Sequence, residues 1–422
     1  MSHGATAGQL SRATLVRFTL RFWTVAGLAG LLLGATLRVV AAEGRPAWLV
    51  PSAGDVPARA YTPGEVALAN LSAQVDGARA ALARQPRVLD LRSALVGHLL
   101  ERARFTGSVT DLDEALLRVR EAETETPGRE QLLLEARTFA ALHRFPEALE
   151  RLDEAEQAGL PAAQVTRERD IIQLALGVTR AEAQPILTRR AQAAARRPRV
   201  GTLVDYAAAL AAAGRLAEAD EQLARAELAS PDVSPLPIAY IAFQRGVMAA
   251  EQLGDRAAGE RHYRAALRLV PGFVRASVHL AELEAARGDE AAASERLGAL
   301  LGAEDPEPAS RLAELRSGPE RAALRRTAES VYAALLSRHR AAYLDHALEF
   351  SLAHEPASSG RAEELARELL STRPNARAHQ LALHAARARH DHAWACRIAD
   401  AARPLAETHP VLAAELTLVS CP

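Results

Sequence analysis

The sequence contains no lysine; all 51 basic residues are arginine. That excludes a P-loop lysine, a Schiff-base lysine and a lysine general base. Only two cysteines occur in 422 residues, Cys396 and Cys421, too few for a disulfide-dense scaffold or a four-cysteine zinc site. Aromatic residues amount to 4% although hydrophobic residues reach 49%, so the apolar content is chiefly Ala and Leu. Such a composition favours helices and leaves strands short of the residues they prefer. The motifs G-x-G-x-x-G, G-x-x-x-x-G-K-[ST], H-E-x-x-H and G-x-S-x-G do not occur, and Ser, His and Asp are scattered without a spacing that defines a triad. The expectation is a protein that is not an enzyme and carries no cofactor.

What is present starts at the N-terminus. Residues 1–42 hold four Arg (Arg12, Arg17, Arg21, Arg38) and no acid, and an uncharged run of 16 residues extends from Phe22 to Leu37. A basic start, an apolar stretch of this size and small residues at Val40 and Ala42 read as a secretory signal cleaved after Ala42. The run is shorter than the ~20 residues that span a bilayer. Left uncleaved, residues 22–37 would attach the chain to the inner membrane with the remainder facing the periplasm. No Cys follows the run, which argues against a lipid anchor. Without residues 1–42, 47 basic and 52 acidic residues remain, a net charge of −5 that disfavours nucleic acid. Residues 43–64, with four Pro and three Gly, read as a linker.

From about Glu65 onward, short helical patterns alternate with Gly, Asp or Pro. Windows starting at residues 200, 240 and 274 place small or apolar residues in register. Position 8 is Ala207, Val247 and Ala281. Position 15 is Gly214, Gly254 and Gly288. Position 20 is Ala219, Gly259 and Ala293, and position 24 is Leu223, Tyr263 and Leu297. This pattern describes a helical hairpin. Gly ends the first helix in a left-handed residue, small residues allow close packing, and the larger residue fills the seam. Pro231, Pro271 and Pro306 close the second helices. A single hairpin cannot bury its apolar face, so the units must stack. Residues 129–161 fit the same register, and residues 343–376 and 376–409 fit it more loosely.

This spacing resembles the tetratricopeptide repeat family, whose unit is a 34-residue helical hairpin. The resemblance implies an all-α, right-handed superhelical solenoid, here an elongated one, covering residues 65–418. Its organisation is read as an N-terminal lobe over 65–301, an interruption over 302–322 and a degenerate C-terminal lobe over 323–422. The resemblance also implies that first helices line a concave groove that binds partner peptides or helices. Positions 2, 5, 9 and 12 point into that groove, which selects Gln244, Glu251, Arg275 and Glu282 as partner-binding residues. The window starting at 200 supplies only Gly201, Val204, Ala208 and Ala211 there, a shallow and smooth stretch. The family subtype that clamps a C-terminal carboxylate with Lys is not matched, since Lys is absent.

Three side-chain groups stand outside the repeat pattern. Eight of the thirteen His lie between His339 and His409, and His384, His392 and Cys396 are candidate ligands for a soft divalent metal, with a solvated turn as the alternative. An arginine run, Arg189, Arg190, Arg196, Arg197 and Arg199, could grip an acidic partner or form a solvated face. Cys396 and Cys421 are candidates for a disulfide. At ~1.5 Å per residue, an antiparallel return after Pro410 brings the two to one level. The alternative is two free thiols. The functional expectation is a protein-interaction scaffold in a bacterial cell envelope. The alternatives are a metal-binding or enzymatic protein centred on residues 379–396, and a module of an envelope polysaccharide export system.

Overall fold

The computed structural model describes residues 60–121, 128–231 and 233–421. The signal segment, and residues 43–59 of the expected linker, lie outside the described residues. Twenty α-helices and no strand occur among the described residues. The first nine are α1 (Gly64–Arg84), α2 (Leu89–Thr106), α3 (Val109–Arg120), α4 (Arg129–Ala141), α5 (Phe145–Gln157), α6 (Ala162–Leu176), α7 (Arg180–Arg196), α8 (Val200–Ala212) and α9 (Leu216–Ala229). Next come α10 (Leu236–Val247), continued by a π-helical turn over Met248–Gln252, then α11 (Arg256–Leu269), α12 (Val274–Ala286) and α13 (Glu290–Gly298). The chain ends with α14 (Glu307–Glu314), α15 (Gly318–Arg338), α16 (Arg340–His354), α17 (Arg361–Thr372), α18 (Ala376–Ala388), α19 (His392–Ala406) and α20 (Pro410–Leu416). This is an all-α, TPR-like array of stacked hairpins. No described helix is long and apolar enough to cross a membrane.

The repeat register sets the hairpins. Counted from residues 129, 200, 240, 274 and 376, the second helix begins at position 17 each time, at Phe145, Leu216, Arg256, Glu290 and His392. The residue two places earlier is left-handed. Gly214 and Gly254 take φ of 76° and 73°, and in two hairpins without Gly a His does so, His143 at 57° and His390 at 56°. An L residue adopts this conformation at some cost, so the turn geometry outranks the residue preference. The small residues expected at close contacts are buried there, Ala219 and Ala293 both at 0% exposure. At the matching site in α11, a Cβ on Gly259 would stand 2.5 Å from that of Ala250. The stretch 302–322 does not interrupt the array. It holds α14, a shortened first helix whose Leu312 joins the core of α12 and α13 while Ala309 joins that of α15 to α20.

The expectation of an elongated array is corrected. Residues about 170 to 230 apart in sequence touch, so later units pack against the first ones. Thr62 N–H donates to the Val233 carbonyl at 2.9 Å. The rings of Phe105 and Phe273 lie 4.7 Å apart. Thr110 N–H, in the first turn of α3, donates to the Glu304 carboxylate at 2.6 Å, which places an anion at a helix N-terminus. Asn375 donates to the Ala175 carbonyl at 3.1 Å, and Arg180 to the Glu407 carbonyl at 2.8 Å. Gly214 packs against Thr408. The coil is tight enough that its successive turns form a seam.

Candidate interaction surface

Because the coil closes, its first helices lie inside and its second helices outside. In α12, eleven of thirteen residues are buried; in α11, the buried ones are Gly259, Tyr263 and Ala266. The inner helices still carry charged side chains at the positions that would face a groove, and these meet one another. Glu251 accepts a hydrogen bond from Tyr263 Oη at 3.1 Å and faces His279 Nδ1 at 3.1 Å. His279 also lies 3.7 Å from Glu282. Arg311, from the short α14, is the hub: its Nε is 2.7 Å from Glu282, and its Nη2 is 2.5 Å from Glu349 and 3.5 Å from Glu307. Arg377 pairs with the same Glu349. Farther along the axis Arg373 lies 2.6 Å from Asp345 and donates to His143 Nδ1 at 2.7 Å.

The electrostatics follow from burial and pairing. Burial opposes a charge on His279, but Glu251 and Glu282 outweigh it and raise its pKa. Burial likewise opposes the charge on Glu307, yet His346 and Arg311 hold its carboxyl far below the usual range. Asp345 is depressed in the same way, chiefly by Arg373 against the effect of burial. His143 goes the other way: burial, reinforced by Arg373, pushes it down to about 3, so a neutral ring accepts from the guanidinium. Burial pushes Arg377 down to about 10.

The four sequence-selected residues therefore lie on the inner side, but not in an open groove. Gln244, Glu251 and Glu282 are exposed by 4%, 1% and 4%, and the network takes up both carboxylates. Arg275 is half-buried and apart from them, where its charge acts on Asp305 and His346. Sequence reasoning missed Arg311, Glu349 and Arg377, because the first sits in the presumed interruption and the others in loosely matching repeats.

The metal reading is also corrected. Cys396 is bonded to Cys421, with Cα atoms 5.6 Å apart, so its sulfur is not a thiolate ligand. His384 faces Glu415 inside the array at 3.3 Å, while His392 opens α19 exposed. No group of three or more His, Cys, Asp or Glu is placed to hold a metal among the described residues. The arginine run divides in two. Arg189 and Arg190 pair with Asp170 at 2.5 and 3.3 Å, whereas Arg196, Arg197 and Arg199 are exposed beside the α7–α8 turn.

No family model matches the chain, and no curated protein matches it either. Among solved structures, the one titled "Structure of Naa15/Naa10 bound to HypK-THB" aligns with 84% of this chain and 79% of that chain, at 13% identity and a TM-score of 0.20.

Proposed function

We propose that the protein is a non-catalytic scaffold of a bacterial cell envelope that binds protein partners. The observation that supports this reading most is the division of the array. Its inner helices are occupied with one another, while the outer helices present a long, charged, exposed face. A solenoid built this way offers partners an extended surface rather than a single deep site. The Cys396–Cys421 bond supports an oxidising compartment, in line with the basic and apolar start of the sequence. Crosslinking in the native host followed by mass spectrometry should recover the same few envelope proteins in replicate captures. Recovery of none above a mock control would overturn the scaffold reading. A reporter fused after residue 60 should be active only when exported, and activity in the cytoplasm would remove the envelope assignment.

A further inference from the structure

A short helix closes the C-terminal end of the coil. α20 has seven residues, too few to hold a helix in water unaided, and only Leu412 and Glu415 among them are buried. It nevertheless lies over inner helices. It packs on α18 and beside the π-helical turn that continues α10. Glu415 faces His384 of α18 at 3.3 Å, and its carbonyl accepts from Arg387 at 3.0 Å. His384 is 7% exposed, and its Nδ1 has no hydrogen-bond partner among the described residues. The turn that leads into α20 belongs to the seam, since Thr408 meets Gly214 and the Glu407 carbonyl accepts from Arg180.

What holds this helix down is covalent. Cys396, in the second turn of α19, is bonded to Cys421, beyond the end of α20, so all of α20 lies inside the loop that the bond closes. The bond itself is within reach of solvent: Cys421 is exposed and Cys396 half-buried. A disulfide is opened by a thiolate that can reach one of its sulfurs, and access sets which bonds exchange. Here the bond is at the surface while the groups it keeps shut are inside. The sequence contains no other cysteine, so a reductant acts at this one place and no alternative pairing can form.

We propose that Cys396–Cys421 is an exchange site for an external dithiol, and that its reduction releases α20 and opens the C-terminal end of the coil. One thiolate of the dithiol attacks Cys421 Sγ, the more exposed sulfur. The bond between the two cysteines breaks, and Cys396 leaves as a thiolate that takes up a proton. The second thiolate of the dithiol then attacks its own partner sulfur in the mixed disulfide and expels Cys421, which is protonated in turn. Two electrons pass to this chain and the dithiol becomes a disulfide. Without the bond, α20 keeps Leu412 and the contacts of Glu415, a unit of low local stability at the chain end. Its departure uncovers His384, while the network around Arg311 stays closed because other inner helices hold it.

The proposal goes beyond the scaffold reading and does not need it, since the test uses the purified full chain. Dithiothreitol is the probe dithiol, removed under anaerobic conditions before measurement. Diethyl pyrocarbonate modification, followed by mass spectrometry, reads the accessibility of single histidines. Dithiothreitol should reduce the bond in the native protein. His384 should then react at least about tenfold faster, which corresponds to an opening about 1.4 kcal/mol easier. Amide exchange over 410–421 should rise with it. His143, a neutral ring bound to Arg373 elsewhere on the seam, should react at an unchanged rate. Cys421→Ser, at an exposed position, should show the fast His384 rate without reductant and no response to dithiothreitol. A bond that resists dithiothreitol in the native protein would overturn the exchange site. Faster amide exchange in the tail with His384 still slow would reduce the effect to fraying and overturn the opening. Acceleration of His143 together with His384 would mean that the whole coil loosens, which also overturns it.

Discussion

Arg311 and Arg215 make the same kind of contact in opposite surroundings. Arg311 is inside, 6% exposed, with Glu282 and Glu349 within 2.7 Å. Arg215 is outside, on the turn into α9, paired with Glu218 three residues along at 2.5 Å with both partners in solvent. The distances are alike but the energetics are not. Around Arg215 water competes for both ions, and a side chain held in place loses entropy. Around Arg311 the carboxylates have already lost their water, so the guanidinium is what keeps their burial tolerable. The difference shows that the inner network ties α12, α14, α16 and α18 together, whereas the outer pairs decorate helices that would form without them.

Arg311→Ala leaves Glu282 buried without its guanidinium and Glu349 with Arg377 alone, and should destabilise the protein by about 3–5 kcal/mol, read from urea unfolding. A loss under about 1 kcal/mol would mean that the network is open to water. Cutting the link at the C-terminus comes next. Cys396→Ser removes a bond spanning 25 residues and should cost about 3 kcal/mol in the chain-entropy model, with thiol labelling of native protein showing no free thiol before reduction. Ala219→Phe or Ala293→Phe should cost about 1–3 kcal/mol through overpacking, and unchanged melting of both would contradict the hairpin register.

Two histidines make stability depend on pH. His354 is pushed down to about 4, mainly by burial, so the unfolded chain binds its proton first and stability falls as pH drops from about 6.5 towards 4. His354→Gln should reduce that acid-side slope by about one proton. His279 has a raised pKa, so its contribution is present below about 6.5 and is lost as pH rises through the folded value. Wild type and His279→Gln should therefore converge in stability on the alkaline side. The smallest effect is expected outside: Arg215→Ala should leave the melting midpoint within its reproducibility, and a clear drop would place that pair in the same class as Arg311.

Hairpin-level structure was legible in the sequence because its determinants are local. Gly214, Gly254 and Gly288 mark the turns, and the residues at positions 8, 20 and 24 mark the packed faces. His143 and His390 were not legible as turn residues, since nothing in a histidine announces a left-handed backbone. The π-helical turn over Met248–Gln252 was equally hidden. It continues α10 up to the turn at Gly254, with Gly246 against the Tyr263 ring and Gly259 against Ala250. At the candidate site, the inward placement of Gln244, Glu251 and Glu282 was readable from position in the repeat. Their burial was not, because their neighbours on the next inner helices come from residues up to about a hundred positions away.

An all-helical array, its hairpin register, most of its turns and the small residues that let paired helices approach are written into the sequence. These depend on contacts within one unit or between adjacent units, and an apolar pattern of the right period specifies them. Closure of the coil, the seating of Glu304 on α3 and Asn375 on Ala175, and the sealing of the charged axis emerge only when the units are assembled in three dimensions. Closure depends on a small rotation between neighbouring hairpins, added up along the array. An error of a few degrees per unit, invisible in any single repeat, separates an open groove from turns that touch.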